Sequence, residues 1–245
     1  MKKILPIFLA GWFLLSLVLL SPVGAQNNSQ AQDKGPLTKI TFIHYKKEKN
    51  FAKPAPDAIK GSKTTCYSYI ATGAKWKTTE GYIVNPTGSN LDSNLVTQAI
   101  DSGVAEWERY GGQNIFGSGS SDASASAGYD YKNVVNFGPY SDNQAIAVTT
   151  VWGYFSGSPD TREIVEWDML FNNSYPFGDA VVNGTAVMDL QNIATHELGH
   201  SAGMGDLYNY SCSAETMFGY SGYGEISKRD LNNGDIQGIR KLYLR

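Results

Sequence analysis

The run Thr195-His196-Glu197-Leu198-Gly199-His200-Ser201-Ala202-Gly203-Met204-Gly205-Asp206 carries two histidines four residues apart with an acid beside the first. Residues four apart share one face of a helix, so His196 and His200 can present both imidazoles to a single metal ion. Glu197 then stands where a carboxylate can hold a water and take its proton. Gly203 lets the backbone leave the helix at positive φ without steric cost, and the turn returns Asp206 toward the same point as a third ligand. Three protein ligands with one open position make a catalytic zinc site, whereas structural zinc is closed by four. The competing placement makes Asp206 a hydrogen-bond acceptor for a histidine and gives the third position to Glu215 or Glu225.

Working outward, Asp189 is a suitable N-cap, and Leu190, Ile193, Ala194 and Leu198 supply the buried face of the metal helix. Upstream, Leu95, Val96, Ala99, Ile100, Val104 and Trp107 recur three and four apart, which predicts a core helix over Asp92–Tyr110, stopped by Gly111-Gly112. Strands are expected at Gly81–Val84, Asn133–Phe137, Ala145–Trp152 and Glu163–Phe171, where β-branched and aromatic residues lie between Gly, Pro, Asn and Asp turns. The last of these alternates only partly and reads as a half-buried strand or as an edge strand lining a cleft. Gly117–Gly128 reads as an exposed loop. Asp122 and Asp130 match no strong calcium-loop pattern, so structural calcium has no support. A final helix is expected over Lys228–Leu244. No internal repeat is visible.

The chain has 245 residues, enough for one domain with a leader, and 42% hydrophobic content, enough for a core. A net charge of -3 provides no basic face for nucleic acid. Lys2 and Lys3 precede an apolar run from Ile4 to Leu20, and Val23-Gly24-Ala25 supplies small residues for cleavage, so residues 1–25 read as a secretory signal. The alternative is a retained membrane anchor. Residues 26–65 read as a leader or short pro-segment, partly disordered, with one short strand at Thr38–Tyr45. The domain proper is placed at 66–245. His44, the only histidine outside the central run, is left aside as a bystander in that leader.

The two cysteines, Cys66 and Cys212, allow one intramolecular pairing in an exported chain. Closing so long a loop stabilises a fold by roughly 4–5 kcal/mol in the chain-entropy account. Free thiols, or one thiolate blocking the metal, are the competing readings.

The segment His196–Asp206 resembles the extended zinc signature of the metzincin metalloproteases, in its HExxHxxGxxD form as in snapalysin-type members. The approach Asp189–Thr195, the stretch Glu215-Thr216-Met217-Phe218-Gly219-Tyr220 at the place of a Met-turn, and Leu231–Tyr243 as closing helix sharpen the likeness to a matrixin-like member. The resemblance spans about Lys75 to Tyr243. It implies an α+β (α/β-like) catalytic domain: a small twisted mixed sheet with one antiparallel edge strand beside the cleft, a core helix, a zinc helix and a C-terminal helix. It also implies Met217 as a buried floor beneath the metal. Two departures stand out. Asp206 replaces the usual third histidine, and Cys66 lacks the sequence context of the family's cysteine switch, so that role is not transferred to it.

The expectation is a secreted, zinc-dependent metalloendopeptidase with one catalytic Zn2+, held by His196, His200 and Asp206, and Glu197 as general base. Tyr220 is a candidate oxyanion stabiliser, with packing among neighbouring tyrosines as the rival reading. Partners are protein or peptide substrates. No nucleic acid, no stable membrane association after signal cleavage, and a monomer complete the picture. The alternative from another class is a catalytically silent, secreted zinc-binding or adhesion module on the same scaffold.

Overall fold

Strands rich in Val, Ile and aromatic residues give the molecule a twisted sheet, and helices cover it. The computed structural model describes residues 34–47 and 65–244, so the expected signal at 1–25 and most of the expected leader at 26–65 lie outside the described residues. In chain order the elements are β1 (Leu37–Lys46), β2 (Lys75–Trp76), β3 (Tyr82–Val84), α1 (Ser93–Gly111), β4 (Gly119–Ser121), β5 (Asn133–Gly138), β6 (Ala145–Tyr154) and β7 (Glu163–Asn172). There follow β8 (Phe177–Gly178), α2 (Ala180–Asn183), β9 (Met188–Asp189), α3 (Leu190–Ser201), β10 (Tyr220–Ser221) and α4 (Asn233–Tyr243).

Five strands in the order β6-β7-β5-β3-β4 form the body of the sheet. The pairs β7·β5, β5·β3 and β3·β4 are parallel, and β6 runs antiparallel at the edge. This is the expected mixed sheet with one reversed strand. Outside β6 lies β1, antiparallel to it, and beyond β1 lies β10.

α1 packs across α3 through a close approach at Gly103, where a Cβ would stand 2.8 Å from Leu198 Cδ1. Its Trp107 is fully buried and donates from Nε1 to Thr195 O at 2.6 Å, tying the core helix to the first turns of α3. The C-terminal end of α3 is tied too, by Trp76 Nε1 to Ser201 O (2.9 Å) and Tyr243 OH to Ala202 O (3.0 Å). A buried helix anchored at both ends by tryptophan and tyrosine donors is a rigid platform for ligands. Cys66 and Cys212 are joined in a disulfide across 146 residues.

Several boundaries differ from expectation. The last helix begins at Asn233, because Asn232 caps it in a reciprocal capping box with Asp235; Ser227–Arg229 is a separate single turn. Glu163–Phe171 is interior, paired on both sides, which is why its alternation is broken; the reversed strand is β6. The loop 117–128 contains the three-residue β4. The leader contributes ten residues, β1, to the sheet itself. Among the described residues no helix is long and apolar enough to cross a membrane.

Candidate metal centre

Asp189 accepts from Asn192 N at 2.8 Å and so starts α3, while Arg229 grips the same carboxylate from outside the helix. One turn on, His196 and His200 point the same way, as their spacing requires. The Nδ1 of His196 lies 2.7 Å from Thr216 O, and that of His200 lies 3.0 Å from Met204 O. A carbonyl only accepts, so each Nδ1 carries the proton and each Nε2 presents a lone pair. Those two Nε2 atoms stand 3.3 and 3.4 Å from Asp206 Oδ1.

All three atoms are buried and without a hydrogen-bond partner. Buried acceptors left unsatisfied are costly, and three of them aimed at one point fit a cation. Nitrogen and oxygen ligands about 2.0–2.1 Å from zinc in a tetrahedron stand roughly 3.3 Å apart. The separations from Asp206 match that edge, so these residues fit the ion. The two imidazoles hold the Asp206 carboxyl well below its usual range against the opposing effect of burial. Its second oxygen accepts from Tyr208 OH at 3.1 Å, which fixes the orientation of the carboxylate.

Gly203 adopts φ +105°, and a Cβ there would stand 2.6 Å from Ala74 O, so only glycine makes this exit from the helix. The turn brings Asp206 to the histidines as its spacing suggested. The competing candidates lie elsewhere: Glu215 accepts from Gly234 N and Asp235 N at the start of α4, and Glu225 from Gly222 N.

Met217 is fully buried beneath α3 with its sulfur against Gly199. Its loop is held by Asp235 of α4, which accepts from Thr216 N (2.6 Å) and Met217 N (3.2 Å). Burial pushes the Asp235 carboxyl up to about 7. Tyr220 lies in β10, its ring edge-on to Tyr208 at 5.6 Å and Phe218 at 5.7 Å. Lys228 is buried, and its ammonium donates to Phe218 O (2.7 Å), Tyr220 O (2.5 Å) and Ser221 Oγ (2.8 Å). Nothing local in the sequence marks Asp235, at the start of the last helix, or Lys228, in the single turn before it, as a buried charge.

Glu197 is fully buried, and burial raises its carboxyl to about 7. Its Oε2 accepts from Thr149 Oγ1 of β6 at 2.5 Å. Its Oε1 lies 3.2 Å from Nδ1 of His44, which is itself buried. The bystander reading of His44 therefore fails on geometry. Period-two alternation along Thr38–Tyr45 puts Phe42 and His44 on one face, a signal present in the sequence, but only sheet pairing tells which face meets the metal helix. Asp122 and Asp130, by contrast, serve their own loops, accepting from Ser124 N and Lys132 N.

No curated protein matches the chain. The matrixin family model matches residues 75–244, from β2 to the end of α4, and so covers the sheet body, both helices of the platform and all three candidate ligands. With that match over most of its length, the chain belongs to the matrixins, a family of zinc-dependent metalloendopeptidases.

Proposed function

We propose that the protein is an exported metalloendopeptidase that hydrolyses internal peptide bonds at one zinc ion held by His196, His200 and Asp206, with Glu197 as general base. Zinc bound there would supply Lewis acidity to a water and to the scissile carbonyl. The observation that carries the reading is geometric: the buried, unsatisfied ligand atoms of His196, His200 and Asp206 converge beside the buried Glu197 carboxylate, which burial also raises to about 7. A carboxyl near neutrality can take a proton from water and release it again to the leaving amine, which a carboxyl at its ordinary value does poorly. Thr149 orients one oxygen of that carboxylate, and the other, which His44 engages here, is the one that would turn to a bound water. The main-chain groups of β6 that pair with β1 are the ones an extended peptide would use in its place. Met217 supports Gly199 between the two histidines and so fixes their relative position. The Tyr220 ring, packed between Tyr208 and Phe218, supports a role in wall packing over oxyanion stabilisation. Export rests on the N-terminal signal pattern of residues 1–25.

The test is proteolysis of an internally quenched peptide library by protein of measured metal content. Chelation should abolish cleavage, and added zinc should restore it. Glu197→Ala should bind about one zinc and cleave nothing. Cleavage that persists through both treatments refutes the mechanism; zinc binding without turnover in the unaltered protein, freed of any inhibitory segment, favours the silent module instead.

A further inference from the structure

β1 comes from the leader, yet it is lodged between two strands of the catalytic domain. On one side it runs antiparallel to β6, from Leu37 opposite Tyr154 to Tyr45 opposite Ala145. On the other it runs parallel to β10, with Tyr45 opposite Tyr220 and Lys46 opposite Ser221. The backbone is bonded both ways: Tyr45 N and Lys47 N donate to Gly219 O (3.4 Å) and Ser221 O (2.8 Å), while Lys46 N donates to Gln144 O (2.9 Å). Without β1, the ten-residue β6 would be an open edge, and β10 would have no strand partner among the described residues. The far wall of the slot is also held from inside the domain, where Lys228 donates to the carbonyls of Phe218 and Tyr220. A slot with main-chain donors and acceptors on both walls is a receptor for an extended peptide of varied sequence.

The side chains of β1 complete the picture. Phe42 stacks on His200 with ring centroids 4.0 Å apart and planes 8° apart. Two residues on, His44 lies over His196 with centroids 3.8 Å apart. One strand face thus covers both metal-binding imidazoles. His44 donates from Nδ1 to Glu197 Oε1, so with Thr149 on Oε2 both oxygens of the carboxylate are engaged. Its Nε2 is a further buried lone pair without a hydrogen-bond partner, as are those of His196 and His200. A water deprotonated by Glu197 would have to bond to an oxygen that His44 or Thr149 already engages.

We propose that Leu37–Lys46 is a built-in pseudosubstrate: it fills the slot between β6 and β10 that an extended peptide substrate takes in the same direction, and His44 occupies the general base, so the chain is latent until β1 leaves. The substrate part of this rests on the proteolytic reading of the site; the covering of the metal side chains does not.

Two measurements on the full-length zinc-loaded protein separate these parts. One is the rate at which 1,10-phenanthroline strips the ion, and the other is kcat/KM on the quenched peptide library. They are made on the unaltered protein, on the double variant Phe42→Ala/His44→Ala, and on Tyr45→Pro, which removes a backbone donor to Gly219 and leaves both covering side chains in place. Metal release at least tenfold faster and cleavage at least tenfold faster in the double variant are expected, with a smaller change of the same sign in Tyr45→Pro. A synthetic peptide spanning residues 36–47 should inhibit the double variant competitively. Faster stripping with no cleavage by any form keeps the cover and overturns the proteolytic reading. Unchanged stripping rates in both variants overturn the pseudosubstrate.

Discussion

The sulfur of Met217 lies 2.2 Å from where a Cβ on Gly199 would be, and Trp107 Cζ2 lies 2.6 Å from the same point. The residue just before His200 is therefore glycine for lack of room. Gly199→Ala would gain about 1 kcal/mol in helix propensity, but overpacking a site walled by two fully buried side chains costs typically 1–3 kcal/mol. The net expected outcome is a lower melting temperature and weaker zinc binding. The double change with Met217→Ala should recover part of the loss, and a double-mutant cycle read by denaturant titration shows whether the two sites couple.

Glu197→Gln keeps the shape of the carboxylate and the contact with Thr149 but removes the proposed base. Zinc stoichiometry should stay at about one, while kcat falls about 10²–10⁴-fold, the usual worth of general base catalysis. Loss of the metal together with the activity would assign Glu197 to the ligand set instead.

Asp206→Ala deletes a candidate ligand and should weaken zinc binding by more than the roughly 10–100-fold seen when only an outer partner of a ligand is removed. Tyr208→Phe removes such an outer partner, the hydroxyl 3.1 Å from Asp206 Oδ2, and should fall within that range. Competition with a chromophoric chelator measures both. If Asp206→Ala binds as tightly as the unaltered protein, the third ligand is another residue.

Reduction of the Cys66–Cys212 bridge releases a constraint across 146 residues of chain. The Cys66→Ser/Cys212→Ser pair should lower unfolding free energy by up to about 5 kcal/mol, with the fold otherwise retained. Urea midpoints in both forms give the difference.

Asp168 is buried in β7, accepting from Val134 N (3.0 Å) and Gly128 N (2.7 Å), and burial raises its carboxyl to about 7. Between about pH 4 and 7 the folded chain keeps this proton and the unfolded chain has lost it. Unfolding then releases a proton, so this group lowers stability as pH rises through that window, and the loss is complete above pH 7. Asp235, also raised to about 7, acts with the same sign. Urea midpoints at pH 5 and pH 8 should differ less in Asp168→Asn than in the unaltered protein; an equal or larger difference contradicts the assignment.

Much of the candidate site was written locally. The spacing of His196 and His200, the N-cap Asp189 and the exit at Gly203 each act within a turn or two, so local geometry carries them into the fold unchanged. The same holds for α1, whose cap Asp92 and left-handed stop at Gly112 lie where its periodicity ended. The α4 boundary was misplaced because apolar spacing alone does not reveal that Asn232 and Asp235 cap each other. Glu166 and Asp168 of β7 look like surface acids in sequence, yet both are buried to hold the backbone of residues 128–134.

By itself, then, the sequence determined the helix of His196 and His200, the turn that returns Asp206 to them, and the order of strands and helices around them. Those features follow from helical and strand periodicity, caps and glycine φ, which operate over a few residues. Only the tertiary structure decided that His44, 153 residues before Glu197, meets that carboxylate. That contact depends on the register of β1 against β6, on a bulge between His44 and Tyr45, and on β10 closing the other side. Shifting a strand by one residue turns every side chain to the opposite face, so pairing across the sheet, and no local signal, sets what His44 touches.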